Sequence, residues 1–259
     1  MESTKRIDAP RLFFAADAEE LAKRAASRVV EIAQRAIAAR SRFVLALAGG
    51  STPELLYRML VERYRDVLDW RRVEVFFGDE RLVALDDPRS NFAMAQRTLL
   101  RHVAIPESRV HAVPVTLPPE QAAAQYEQSM LATVPPVVAG GPPAFDLILL
   151  GIGSDGHVAS LFPGAPTLDA VRQYVAAAAP GVLPPPVDRI TVTLPVVNAA
   201  GAVIVLVAGE SKSEVVARAL QRSEDPHMLP ICGVRPIDGD YEWFLDQAAA
   251  KRLSTNTEK

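Results

Sequence analysis

This 259-residue sequence predicts an α/β fold: a largely parallel sheet with helices on both faces. Two observations carry that reading. Runs such as FVLALA, FDLILL and AVIVLVA are apolar at nearly every position rather than at alternate ones, the pattern of strands buried on both faces. Stretches of helical period lie between them, so strands alternate with helices along the chain. A third observation concerns function. The glycine- and charge-rich segments follow the ends of the apolar runs, where open α/β sheets bind their ligands.

The elements read in order as follows. Residues 17–38 space Leu21, Ala25, Val29, Ile32 and Ala36 three or four apart, predicting a helix. FVLALA (43–48) is a buried strand bounded by Gly49-Gly50, and PELLYRMLVERY (53–64) returns to helix. RVEVFF (72–77) is a strand and NFAMAQRTLL (91–100) a helix; RVHAVP (109–114) reads as a short strand and EQAAAQYEQSML (120–131) as a helix. TVPPVVAGGPP (133–143) breaks regular structure. FDLILL (145–150), YVAAAA (174–179), RITVTL (189–194) and AVIVLVA (202–208) are strands, and SKSEVVARALQR (211–222) is a helix. YEWFL (241–245) is expected as a final edge strand. No internal repeat is visible, and the proline-rich PGVLPPPVD (180–188) is short enough for a surface loop. Residues 1–259 therefore read as a single domain.

Composition narrows the function classes. At 49% hydrophobic and 23% charged residues, the chain can bury a sizeable core. A net charge of −3 without a basic run argues against nucleic acid or acidic membranes as partners. The single cysteine, Cys232, permits no disulfide within the chain and makes a structural zinc site unexpected, in keeping with a reducing compartment. MESTKRIDAPRLFF lacks a secretory hydrophobic region, and no run of 18 apolar residues occurs. A cytoplasmic protein is expected.

Four loops carry the chemistry. In AGGSTPE (48–54), Gly49 and Gly50 permit a tight turn, and Ser51 or Thr52 can cap a helix whose free N–H groups suit an anion. The same residues could make a plain strand-to-helix turn. In FFGDERLVALDDPRSN (76–91), Asp79, Glu80 and Arg81 follow a strand end, either as solvated charge or as an arginine for an anion beside a carboxylate for hydroxyls. Ser90 or Asn91 caps the next helix.

GIGSDGHVASLFPG (151–164) contains a literal GxGxxG. Phe162-Pro163-Gly164 would cut short the helix a dinucleotide turn requires, and the next strand ends in AAAAP without an acid for a ribose. No GxxxxGK[ST] or GxSxG occurs. What remains is Asp155-Gly156-His157, a histidine able to take a proton from water with a carboxylate beside it. The plainer alternative is a loop histidine bonded to backbone. In AGESKSE (208–214), Ser211 and Glu214 fit a capping box, which puts Lys212 in a first helical turn where only a bound anion would favour it. His102, His111, His227 and Cys232 show no partner pattern.

Together AGGSTPE, FFGDERLV…SN, GIGSDGHVASLFPG, VAGESK and DGDYEWFLD, in this order, resemble the 6-phosphogluconolactonase family over residues 11–247. That family is grouped with glucosamine-6-phosphate deaminases and ribose-5-phosphate isomerases. The resemblance implies a Rossmann-like fold and hydrolysis of 6-phospho-D-glucono-1,5-lactone to 6-phosphogluconate, the second step of the oxidative pentose phosphate pathway, without cofactor or metal. It implies His157 as general base, Asp155 as its orienter or a holder of sugar hydroxyls, and Asp79 as an active-site carboxylate. Arg81 and Lys212 match phosphate-binding positions, with Gly49, Gly50, Ser51 and Thr52 framing the ligand. The related deaminases continue their DGH loop into a segment with a glutamate; here Ser160-Leu161-Phe162-Pro163-Gly164 has no acid, which favours the lactonase. The rival readings are an isomerase or deaminase on this fold, a sugar-phosphate sensor without catalysis, and an oxidoreductase. The expected partner is a small sugar-phosphate lactone, with the chain a monomer or weak homodimer.

Overall fold

The structure is a computed structural model that describes residues 9–180, 186–221 and 224–253. The proline-rich 180–188 loop and the last residue of the helix expected over 211–222 fall partly outside the described residues.

Six strands form a parallel sheet: β1 (Arg11–Ala15), β2 (Phe43–Leu47), β3 (Val73–Phe77), β5 (Leu147–Leu150), β8 (Ala202–Val207) and β9 (Asp240–Asp246). Their order is β1-β9-β8-β5-β2-β3. Each strand divides its side chains between two cores. Phe43, Leu45 and Leu47 of β2 meet α1 (Ala18–Arg40), α2 (Ser51–Tyr64) and α3 (Asn91–Thr98), whereas Val44 and Ala46 face α4 (Pro119–Thr133), α6 (Ser213–Gln221) and a second sheet. The uniformly apolar runs follow from burial on both faces.

Local signals set the ends of the helices. Asp17 caps α1 by accepting the Glu20 N–H at 2.8 Å, and its Leu21, Ala25, Val29, Ile32 and Ala36 are all buried. Ser90 caps α3 by accepting the Ala93 N–H. Ser41 ends α1 in the left-handed region at φ 58°.

Four expectations need correction. YEWFL is no edge strand: β9 lies between β1 and β8, because RLFFA, largely exposed, adds a strand outside it. RVHAVP makes a single bridge, Val75 to Val110, directly after a 3-10 turn (Glu107–Arg109) that takes up its first residue. RITVTL is strand only to Val192; Leu194–Asn198 form the short helix α5, with Pro195 in its first turn. YVAAAA and RITVTL do not join the parallel sheet either. They are β6 (Val175–Ala178) and β7 (Arg189–Val192), antiparallel to each other, and β7 pairs antiparallel with β4 (Asp79–Arg81), read above as loop. No described helix is long and apolar enough to cross a membrane.

From β2 the chain crosses to β3 on one side, and from β5 it crosses to β8 on the other. The crevice beyond the carboxyl ends of β2 and β5 is therefore the place where this topology leaves room for a ligand.

Candidate active site

The loop after β5 closes on itself. Gly156 N–H donates to the Gly153 carbonyl at 3.0 Å, and Gly153 N–H donates to the His157 carbonyl at 2.9 Å. This sets Asp155 and His157 side by side, with His157 Nδ1 2.6 Å from Asp155 Oδ1. A Cβ at Gly153 would fall 2.1 Å from His157 Nδ1, so only glycine allows the backbone this close. Gly156 takes φ +84°, and a Cβ there would meet Leu229 at 2.3 Å.

Burial works against the Asp155 charge, but the hydrogen bond and charge of His157 and the backbone N–H of His157 together hold its carboxyl below the usual aspartate value. An ionised Asp155 can only accept, which assigns a proton to Nδ1; in the neutral ring the lone pair then lies on Nε2.

In the second loop, three adjacent residues have three roles. Glu80 has no exposed surface. Its Oε1 accepts the N–H groups of Arg81 (2.7 Å) and Asn91 (2.8 Å), and its Oε2 accepts the Phe92 N–H (2.7 Å) and the Ser90 hydroxyl (3.1 Å). Glu80 thus fastens the start of α3 to β4. Burial pushes its pKa up against those hydrogen bonds. Asp79 is also buried, with Oδ1 accepting from Asn91 Nδ2 at 3.0 Å and Oδ2 from the Ser160 hydroxyl at 2.6 Å. A carboxylate clamped at both oxygens still has lone pairs to offer a ligand hydroxyl.

Arg81 stands opposite Arg189 in the β4–β7 pairing. Like charges in that relation repel. The Nε of each is buried without a hydrogen-bond partner among the described residues. Arg81 also donates to the Arg89 carbonyl at 2.6 Å, and the Arg189 guanidinium lies 5.6 Å from the centre of the Phe162 ring. Lys212 joins them from the turn after β8. Burial lowers the pKa of Arg189, with Asp79 opposing, and burial lowers that of Lys212, with Asp155 opposing. None of the three cations makes a salt bridge among the described residues. Three neighbouring cations that make no salt bridge among the described residues form a site for an anion.

Asp79, Arg81, His157, Arg189 and Lys212 line one cleft of about 210 Å³ at the crevice between β2 and β5. Pockets for drug-sized ligands measure roughly 300–1,000 Å³, so this cleft suits a small ligand. Of the residues singled out by sequence, Gly49, Gly50, Asp79, Arg81, His157 and Lys212 line it. Asp155 sits behind His157 and borders a neighbouring groove instead. Ser51 and Thr52 begin α2 beside the cleft without lining it.

Both expected caps differ. Gly50, at φ 105°, precedes α2, and no side chain caps that helix, so Ser51 and Thr52 are its first residues. The box of Ser211 and Glu214 does not form: Glu214 pairs with Arg252, and Glu210–Lys212 make a separate 3-10 turn ahead of α6. Sequence reasoning missed Arg189, which opens an apolar strand, and the two residues that hold Asp79, Asn91 and Ser160. Among the described residues no cluster of His, Cys, Asp or Glu is placed to hold a metal ion.

Comparison with known proteins bears on the fold and the family. The family described as glucosamine-6-phosphate isomerases/6-phosphogluconolactonase matches residues 16–243. A 6-phosphogluconolactonase from Synechocystis is 40% identical over 246 residues, covering 95% of this chain and 99% of its own. The human 6-phosphogluconolactonase is 39% identical, covering 88% of this chain and 89% of its own. The solved 6-phosphogluconolactonase of Trypanosoma cruzi superposes with a TM-score of 0.85 at 31% identity, over 95% of this chain and 98% of that one. By this extent of match, the chain belongs to the glucosamine-6-phosphate isomerase/6-phosphogluconolactonase family.

Proposed function

We propose that this protein hydrolyses 6-phospho-D-glucono-1,5-lactone to 6-phospho-D-gluconate, the second step of the oxidative pentose phosphate pathway. The observation that carries the proposal is His157, held at 2.6 Å by Asp155 from behind, on the wall of a cleft lined by three cations that make no salt bridge among the described residues. Relatives named for this activity at 39–40% identity support it.

His157 Nε2 takes a proton from water as the water oxygen bonds to C1 of the lactone. Asp155 holds the ring in the required tautomer and stabilises its cation. The C1–ring-oxygen bond then breaks, and the ring oxygen leaves as the C5 hydroxyl with the proton returned by His157. Asp79, clamped by Asn91 and Ser160, accepts from sugar hydroxyls or the attacking water. Arg81, Arg189 and Lys212 bind the phosphate. Gly49 and Gly50, with Ser51 and Thr52 opening α2, present N–H groups at the edge of the ligand. We read the chain as one lactonase domain, working in the cytoplasm as a monomer or weak homodimer without a cofactor.

The test is product formation by the wild-type protein. It should accelerate hydrolysis of the phosphorylated lactone and release no ammonia from glucosamine 6-phosphate. Ammonia release, or tight sugar-phosphate binding without turnover, would replace this reading by the deaminase or the sensor.

A further inference from the structure

Lys212 owes its place to a short turn, and that turn is held from the far end of the chain. Gly209, the first residue beyond β8 and Ala208, has φ +96°. Its N–H donates to both carboxylate oxygens of Asp246, at 3.1 and 3.0 Å. Its carbonyl accepts the Lys212 N–H at 3.1 Å. The peptide groups flanking Gly209 are thus fastened on both sides, by Asp246 upstream and by Lys212 downstream.

Asp246 is the last residue of β9 and is 6% exposed. Its Oδ1 also accepts the Ala249 N–H at 2.7 Å, and its carbonyl accepts the Ala250 N–H at 3.0 Å. Further along, Lys251 pairs with Glu210 and Arg252 with Glu214. The residues from Asp246 to Arg252 therefore enclose the turn that presents Lys212. Among the described residues the buried carboxylate meets only backbone N–H groups, so it works as a fixed strut and not as half of an ion pair.

We propose that Asp246 is a positioning residue for phosphate recognition, fixing the Gly209–Lys212 turn so that the Lys212 amine meets the phosphate of the substrate. This rests on the proposed phosphate role of Lys212. Lys212 makes no salt bridge among the described residues, so its position follows that of the turn. A displacement of about 1 Å at such a contact can cost up to about a hundredfold.

The experiment is a double-mutant cycle on KM for the phosphorylated lactone and Kd for 6-phosphogluconate, using the full chain. Asp246→Ala should raise both by about tenfold or more, with a smaller change in kcat. Asp246→Asn, which keeps one acceptor oxygen, should recover part of the loss. In a Lys212→Ala background the Asp246 substitution should add little. If Lys212→Ala weakens phosphogluconate binding but Asp246→Ala and Asp246→Asn do not, the strut is wrong and the phosphate role of Lys212 stands. If Lys212→Ala leaves binding unaltered, the phosphate reading itself fails. Equal losses from Asp246→Ala in both backgrounds would make Asp246 merely structural, as would a fall in kcat alone. Should Asp246→Ala fail to fold, Asp246→Asn carries the same cycle.

Discussion

Gly153→Ala tests the geometry of the catalytic loop without replacing a reacting group. The new Cβ would fall 2.1 Å from His157 Nδ1 and 2.5 Å from Asp155 Oδ1, on top of a hydrogen bond 2.6 Å long. Ordinary contact begins at about 3.5 Å, so the imidazole must retreat by about 1.4 Å (3.5 − 2.1) or the loop must open. Misplacement on this scale costs about 10² in rate, and complete loss of a general base about 10² to 10⁴. The expected fall in kcat/KM is therefore about 10² to 10⁴, or roughly 3–5 kcal/mol of transition-state stabilisation. Gly153 does not occupy the left-handed region, so alanine fits its backbone and the fold should survive. The assay is kcat and KM on freshly generated phospholactone, with a thermal melt as control. A variant within threefold of wild type at equal Tm would refute the argument that the Asp155–His157 contact matters.

Removing the side chain of Glu80 leaves the N–H groups of Asn91 and Phe92 without their acceptors; at about 1–3 kcal/mol each, Glu80→Ala should lose about 2–6 kcal/mol in urea unfolding. Arg189→Ala should raise KM for the phosphorylated lactone by about tenfold or more, since a hydrogen bond to a charged group contributes about 1.5–3 kcal/mol, and steady-state kinetics will read it. Burial holds the Lys212 pKa below its ordinary value, so its charge is lost at lower pH than for a free lysine. Calorimetric Kd for 6-phosphogluconate should therefore rise as pH climbs from 7 towards that value, and Lys212→Arg should flatten the rise. The folded Asp155 carboxyl is lowered, so its contribution to stability is full above the ordinary aspartate value and is lost as pH falls through the folded one. The Tm gap between wild type and Asp155→Asn should accordingly close on acidification.

The parallel core was legible because burial on both faces leaves a one-dimensional mark, an unbroken apolar run, and FVLALA, FDLILL and AVIVLVA carry it. The loops at their ends were legible for a related reason: ligands collect there whatever the chemistry. Pairing direction was not. Only ten residues without helical period separate β6 from β7. A parallel crossover takes a dozen or more, so a signal for the antiparallel arrangement was present. RLFFA escaped notice because it is short and mostly exposed, and its absence made β9 look like an edge. Arg189 carries no local mark: it becomes a site residue only through its register opposite Arg81, a tertiary fact. Asn91 and Ser160 likewise reach Asp79 across 12 and 81 residues of sequence. Glu80 shows the converse, a charged residue in a motif whose task is to hold α3.

The central claim is that His157 activates water against a lactone. It is tested most directly by generating 6-phosphogluconolactone in place from glucose 6-phosphate and its dehydrogenase, at slightly acid pH where spontaneous opening is slow. Wild type and His157→Ala are then followed side by side. The account predicts acceleration by wild type and a loss of about 10² to 10⁴ in the variant, with 6-phosphogluconate still bound. Equal rates in the two proteins would contradict the assignment of the base, and no acceleration by either would contradict the reaction itself.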